Sequence, residues 1–150
     1  MALNAEVLRS SLALVVEREP VITTRFYEIL FERFPQARPL FSRNAPERQQ
    51  QMLQEAIVAV VDHLEDGEWL VNTLGAMGRK HLEYDVTAEM YPWVGEALLA
   101  TLAEHAAEAW TPEVEQAWTD AYQAIAGLML AGAEQATAEA AANAAAPVPA

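Results

Sequence analysis

A chain of 150 residues that is 53% hydrophobic, with only six glycines, is long enough to bury one sizeable core and too apolar to stay disordered. Its formal charge of -13, from nine basic and twenty-two acidic residues, repels phosphate backbones and anionic bilayers, so neither nucleic acid nor a membrane surface is an expected partner. The absence of cysteine excludes disulfides, thiolate metal sites and cysteine nucleophiles.

The amino terminus, from Met1 to Glu6, has no basic segment followed by an apolar run, so no signal peptide is expected and the cytoplasm is the expected compartment. Leu3 to Glu19 reads as a first amphipathic helix, with Leu8, Leu12, Val15 and Val16 on one face. Pro20 separates it from a second helix, Val21 to Phe34, closed by Pro35. That helix is dense in aromatic residues, and Phe26, Phe31, Phe34 and Phe41 (every phenylalanine of the chain) fall in one short window that reads as a core corner. Ser42 to Pro46 reads as a turn, followed by a long helix from Glu47 to Glu65 whose stripe runs Gln49, Leu53, Ile57, Val60, Val61 and Leu64.

Asp66-Gly67 breaks that helix, and Glu68 to Glu83 forms the next. Its stripe, Leu70, Leu74, Met77 and His81, advances by four, three and four, so the His81 imidazole lies on the apolar face. An imidazole there needs either a hydrogen-bond partner or a metal, and the stripe alone leaves both open. After the connector Tyr84 to Thr87, a helix from Ala88 to Ala109 groups Tyr91, Val94, Leu98 and Leu102. Thr111-Pro112-Glu113 starts the last helix with a capping hydroxyl, a first-turn proline and a first-turn acid. The expected domain covers 1–136, and the alanine- and proline-rich stretch 137–150 is expected to fray into a flexible tail. With no convincing strand, the chain is all-α and single-domain.

Several chemistries are missing. There is no glycine-rich phosphate loop and no His-Glu-x-x-His; His63 and His105 are too isolated to form a histidine metal cluster, and no carboxylate pair suggests hydrolysis.

The segments Val21-Ile-Thr-Thr-Arg-Phe-Tyr-Glu-Ile-Leu-Phe31, Arg38-Pro-Leu-Phe41, Lys80-His81, Tyr91-Pro-Trp-Val-Gly95 and Ala117-Trp118 with Ala121-Tyr122 occur in the order found in bacterial globins. Over about residues 5–135 the chain resembles single-domain bacterial haemoglobins and the haem domain of flavohaemoglobins. The resemblance implies a globin fold, a three-on-three helical sandwich, enclosing haem b (iron protoporphyrin IX). It makes His81 the axial iron ligand, Lys80 the residue that precedes it, and Tyr91 the neighbour of its imidazole. Phe41 would stack on the haem, and Leu53, Met77 and Val94 would line it. Tyr27 and Gln49 would be the distal hydrogen-bonding pair, with Arg48 in place of Gln49 if the 42–46 linker aligns differently.

The family's glutamate on the last helix, which bonds the tyrosine and the proximal imidazole, falls at Ala133, with Glu134 next to it. The implied function is reversible binding of oxygen, with nitric oxide and carbon monoxide as further gases, for transport or storage. Two alternatives stand beside it: a nitric oxide dioxygenase making nitrate from nitric oxide and oxygen with an external flavin reductase, and a gas-sensing or structural globin-like module. A monomer or weak homodimer is expected.

Overall fold

The computed structural model describes residues 4–19, 21–41, 46–84 and 86–145. Six helices account for most of these residues: α1 Ala5–Arg18, α2 Thr23–Arg33, α3 Pro46–Asp62, α4 Gly67–Glu83, α5 Tyr91–Ala106 and α6 Pro112–Ala145. Short 3-10 turns at Pro35–Phe41, Ala88–Met90 and Ala107–Ala109 complete the order, and no strand occurs among the described residues. The expected helices are therefore present, with ends moved by a few residues, as fraying ends usually are.

Local chemistry sets many of these ends. Asn4 caps α1 by accepting from the Val7 amide at 3.3 Å, and Asp66 caps α4 by accepting from the Trp69 amide at 3.0 Å. Thr111 accepts from the Val114 amide at 3.3 Å, so the Thr-Pro-Glu start of α6 works as its sequence predicts. Helix α5 ends where Ala107 takes a φ of 50°. There the Arg18 guanidinium donates to the His105 and Ala106 carbonyls at 3.2 and 2.8 Å, satisfying acceptors that the helix end leaves open.

The helices pack in the three-on-three sandwich expected, with α1 beside α3, α2 beside α5 and α5 beside α6. The layers meet through α1 on α5 and α6, α2 on α3, and α4 on α6. The core gathers Leu8, Leu12 and Val15 from α1, Phe26 and Leu30 from α2, Leu102 from α5 and Trp118 from α6. A polar chain runs through it: the Trp118 indole N–H donates to the Ser11 hydroxyl at 2.9 Å, and Ser11 donates in turn to the Val7 carbonyl at 2.6 Å. A serine on the buried face of α1 is thus the partner that lets a tryptophan bury its polar edge.

Helix α6 continues through 137–145, a stretch for which the sequence suggests a flexible tail. Alanine is the strongest helix former, and Arg79 of α4 donates to both carboxylate oxygens of Glu139 at 3.3 Å, tying down part of that length. Residues 146–150 lie outside the described residues. No described helix is long and apolar enough to cross a membrane.

Candidate functional site

The candidate residues fall into two groups, one built on α2 and one on α4. On α2, steps of three and four residues bury Thr23, Phe26, Tyr27 and Leu30 together. The 3-10 turn that follows, anchored by buried Ala37, carries Phe41 back over this helix. The Tyr27 ring consequently sits among three phenylalanines: edge-on to Phe26 at 4.9 Å, edge-on to Phe41 at 5.2 Å and stacked with Phe31 at 5.8 Å between centroids. The Arg38 guanidinium lies 4.6 Å above the Phe31 ring.

Helix α3 brings Gln49 to this cluster, where its side chain is hydrogen-bonded to the Tyr27 hydroxyl. Next to it, the Thr24 hydroxyl donates to the Gln50 side-chain oxygen at 3.0 Å, a second tie between α2 and α3. Burial pushes the Tyr27 hydroxyl up to about 12, and the Gln49 bond only partly offsets it. Tyr27 therefore stays protonated and able to donate throughout the physiological range. Arg48 is exposed, so of the two candidates on α3 it is Gln49 that meets Tyr27. Leu53, one turn further along α3, packs half-buried against the core, as do Phe41 and Val94.

The second group stands on α4. His81 and Met77 are half-buried, and Leu74 is buried one turn earlier. His81 Nδ1 lies 2.7 Å from the Met77 carbonyl oxygen, so that nitrogen carries the proton and Nε2 keeps the lone pair in the neutral ring. Among the described residues no hydrogen bond reaches Nε2. His63 and His105 make the same bond to the carbonyl four residues back, at 2.7 and 2.8 Å, so this bond alone does not single out His81. The surroundings do. His63 is stacked on Trp69 at 3.9 Å, whereas the His81 ring has two tilted neighbours, Tyr84 at 6.4 Å and Tyr91 at 6.5 Å between centroids.

Tyr91 is buried, and burial raises its pKa. It is fixed through its backbone: the Tyr122 hydroxyl donates to the Tyr91 carbonyl at 2.5 Å. Tyr122 can lie this close because residue 95 is glycine; a Cβ there would stand 2.6 Å from its ring. Tyr84, Tyr122 and Gly95 take no individual role in the sequence reading. Tyr122 and Gly95 lie inside the quoted motifs, but only the folded geometry shows them packed together.

Other candidates stay apart. Lys80 is exposed, its ammonium 4.0 Å from Glu83. Ala133 is half-buried and Glu134 exposed, and among the described residues no carboxylate bonds to His81 or Tyr91. No cluster of metal-binding histidines and acids occurs among the described residues. An open groove of about 480 Å³ between α5 and α6 is lined by Tyr91, Gly95, Leu99, Tyr122 and Leu130, but it touches neither His81 nor the Tyr27–Gln49 pair.

Comparison with known proteins agrees with this arrangement. The sequence profile of the Globin family matches residues 24–129. A flavohemoprotein of Bacillus thuringiensis is 37% identical over 123 residues, covering 81% of this chain, and the chain spans only 30% of that protein's length. A globin-like protein of Aquifex aeolicus is 34% identical over 124 residues, covering 83% of this chain and 87% of its own. Among solved structures, a protein of Rhodothermus marinus engineered as a carbene transferase, and assigned as a nitric oxide dioxygenase, superposes with a TM-score of 0.79 at 29% identity over 91% of this chain and 95% of its own. A bacterial globin from Campylobacter jejuni shares the fold, with a TM-score of 0.74 at 22% identity over 89% of this chain and 96% of its own. With its helical sandwich and a family profile spanning most of its length, the chain belongs to the globin family.

Proposed function

We propose that this globin binds haem b with His81 as the axial iron ligand and takes up oxygen reversibly on the side faced by Tyr27 and Gln49. The residues present fit such a group. Phe31, Phe41, Leu53, Met77 and Val94 are large and apolar yet only half-buried, as the walls of a slot for a flat apolar ring would be. His81 supplies a nitrogen lone pair at Nε2 and is oriented by its Nδ1–H bond to Met77, the usual way an imidazole ligand is held. The observation that carries the reading is the Tyr27–Gln49 pair, a buried hydroxyl hydrogen-bonded to a half-buried amide beside a cluster of aromatic rings.

Held by His81, a haem would supply an iron centre able to bind a diatomic gas. The protein does the rest. Tyr27 donates from its hydroxyl, which burial keeps protonated, and Gln49 can donate from its amide once it turns from Tyr27 toward the gas. Phe26, Phe31 and Phe41 exclude water and lower the local dielectric, which strengthens both bonds.

A second reading, nitric oxide dioxygenase activity, draws support from the flavohemoprotein relatives and from the assignment of the Rhodothermus protein. Oxygen and nitric oxide would combine to nitrate, with an external flavin reductase supplying the electron for each turnover. Among the described residues no carboxylate bonds to His81 or Tyr91, which favours plain oxygen binding, because such a partner is what makes the ligand imidazole more basic. We further read the globin domain as ending near residue 136, and the protein as a cytoplasmic monomer or weak homodimer.

Titration with haemin tests the first reading. Wild type should give a stoichiometric haem spectrum and His81→Ala should lose the histidine-ligated form. Failure of wild type to bind haem would overturn both readings. Steady-state nitric oxide consumption with a flavin reductase, set against simple oxygen affinity, separates them.

A further inference from the structure

Helix α4 is held chiefly from one side, by α6. The two backbones touch directly at two places one turn apart. A Cβ built on Gly78 would overlap the Met129 carbonyl oxygen and stand 2.8 Å from the Met129 Cα. A Cβ on Gly132 would overlap the Gly75 carbonyl oxygen and stand 2.6 Å from the Gly75 Cα. In both cases the obstacle is helix backbone, which cannot swing aside as a side chain can. A Cβ on Gly75 behaves differently: its nearest neighbour would be the Gly132 Cα at 4.0 Å, an ordinary contact. The close approach is therefore directional. It needs no side chain at 78 and at 132, while 75 tolerates one. The Arg79–Glu139 pair ties the same two helices by separate means.

We propose that Gly78 and Gly132 are positioning residues for His81: by admitting backbone-to-backbone contact, they set how far α4 stands from α6, and so where the imidazole Nε2 is presented. His81 follows Gly78 by three residues, about 60° round the helix and 4.5 Å along it, so it moves with Gly78 as part of one rigid turn. A methyl group at 78 or 132 must displace α4 from α6, and the imidazole is carried with it. This inference rests on the reading of His81 as the iron ligand.

The test uses Gly78→Ala and Gly132→Ala, with Gly75→Ala and Gly127→Ala as controls; a Cβ at 127 meets nothing within 4 Å. The iron–histidine stretching frequency of the ferrous, haem-loaded proteins is read by resonance Raman. Because the chain has no cysteine, Ala76→Cys and Glu134→Cys, both at exposed positions, allow spin labels to report the α4–α6 distance in the haem-free protein. Gly78→Ala and Gly132→Ala should lengthen the label distance and shift the stretch outside the spread of wild type and controls, most at 78, where the overlap is deeper.

Should either alanine variant not fold, Gly75→Val is the milder wedge against Gly132 and should move both readouts the same way. An unshifted stretch with a lengthened distance overturns the proposal while leaving His81 as the ligand. An unshifted distance overturns it as well. Absence of any iron–histidine band in loaded wild type would instead overturn the ligand assignment.

Discussion

Replacing Tyr27 with phenylalanine removes one oxygen atom from the aromatic cluster on α2, on the side proposed to face the gas, and little else. The ring is 8% exposed and wedged between Phe26, Phe31 and Phe41, so phenylalanine fills the same space without a cavity. What is lost is a buried, protonated donor next to Gln49. A hydrogen bond to a charged or strongly polarised acceptor contributes about 1.5–3 kcal/mol. Since about 1.4 kcal/mol is tenfold in an equilibrium or rate ratio, oxygen should leave Tyr27→Phe roughly 10- to 150-fold faster than wild type. Gln49 can fill part of the gap, which favours the lower end. Stopped-flow displacement of oxygen by excess carbon monoxide measures the rate directly. An unchanged rate in a variant with an unaltered haem spectrum would refute the role given to Tyr27.

Gln49→Leu should also speed oxygen release, and its effect should combine with that of Tyr27→Phe less than additively, because the two side chains are bonded to each other; additive effects in the double variant would argue against a shared site. Ser11→Ala leaves the buried Trp118 indole N–H without its acceptor and should cost about 1–3 kcal/mol in urea unfolding of the haem-free protein, less a few tenths returned by alanine's helix propensity. Gly127→Ala, mid-helix with open space around it, should raise stability by about 0.5–1 kcal/mol. Burial raises the pKa of Tyr27 to about 12, and raises those of Tyr91 and Tyr122 as well. The folded chain therefore holds protons that the unfolded chain releases near pH 10, so this contribution is intact below about pH 10 and is lost as pH climbs through the folded values. Denaturant melts from pH 8 to 12 should fall over the upper half of that range; a flat profile would contradict the burial of these hydroxyls.

How much of this was legible in the sequence depends on which interaction does the work. The helices were readable because their apolar spacing and caps are local: Asp66-Gly67 and Thr111-Pro112 mark their boundaries without reference to the rest of the chain. The stripe through Met77 and His81 was readable for the same reason. The 3-10 turn Pro35–Phe41 was not, since its two prolines suggest only a corner; what orders it is the packing of Ala37 and Phe41 on α2. Where 137–150 reads as a frayed helix end and tail, α6 is helical through Ala145: a run of alanines carries no face to bury, but it carries ample helix propensity. Gly78 and Gly132 gave no signal at all. A glycine inside a helix reads as a small loss of stability, and only the approach of a second backbone shows what its missing side chain permits.

The two halves of the site consequently rest on different physics. The α2–α3 half is made of side chains: a hydroxyl and an amide at the tips of Tyr27 and Gln49, backed by aromatic rings that pack on one another. Its chemistry can change one atom at a time while α2 and α3 stay where they are. The α4 half is made of backbone, a helix seated on another at Gly78 and Gly132, and among the described residues no carboxylate is bonded to the His81 imidazole. A change there moves the whole helix or nothing. On the proposed reading, small adjustments of gas affinity should therefore come from residues 27 and 49, and oxygen activation would call for a carboxylate bonded to His81 Nδ1, where among the described residues the Met77 carbonyl stands.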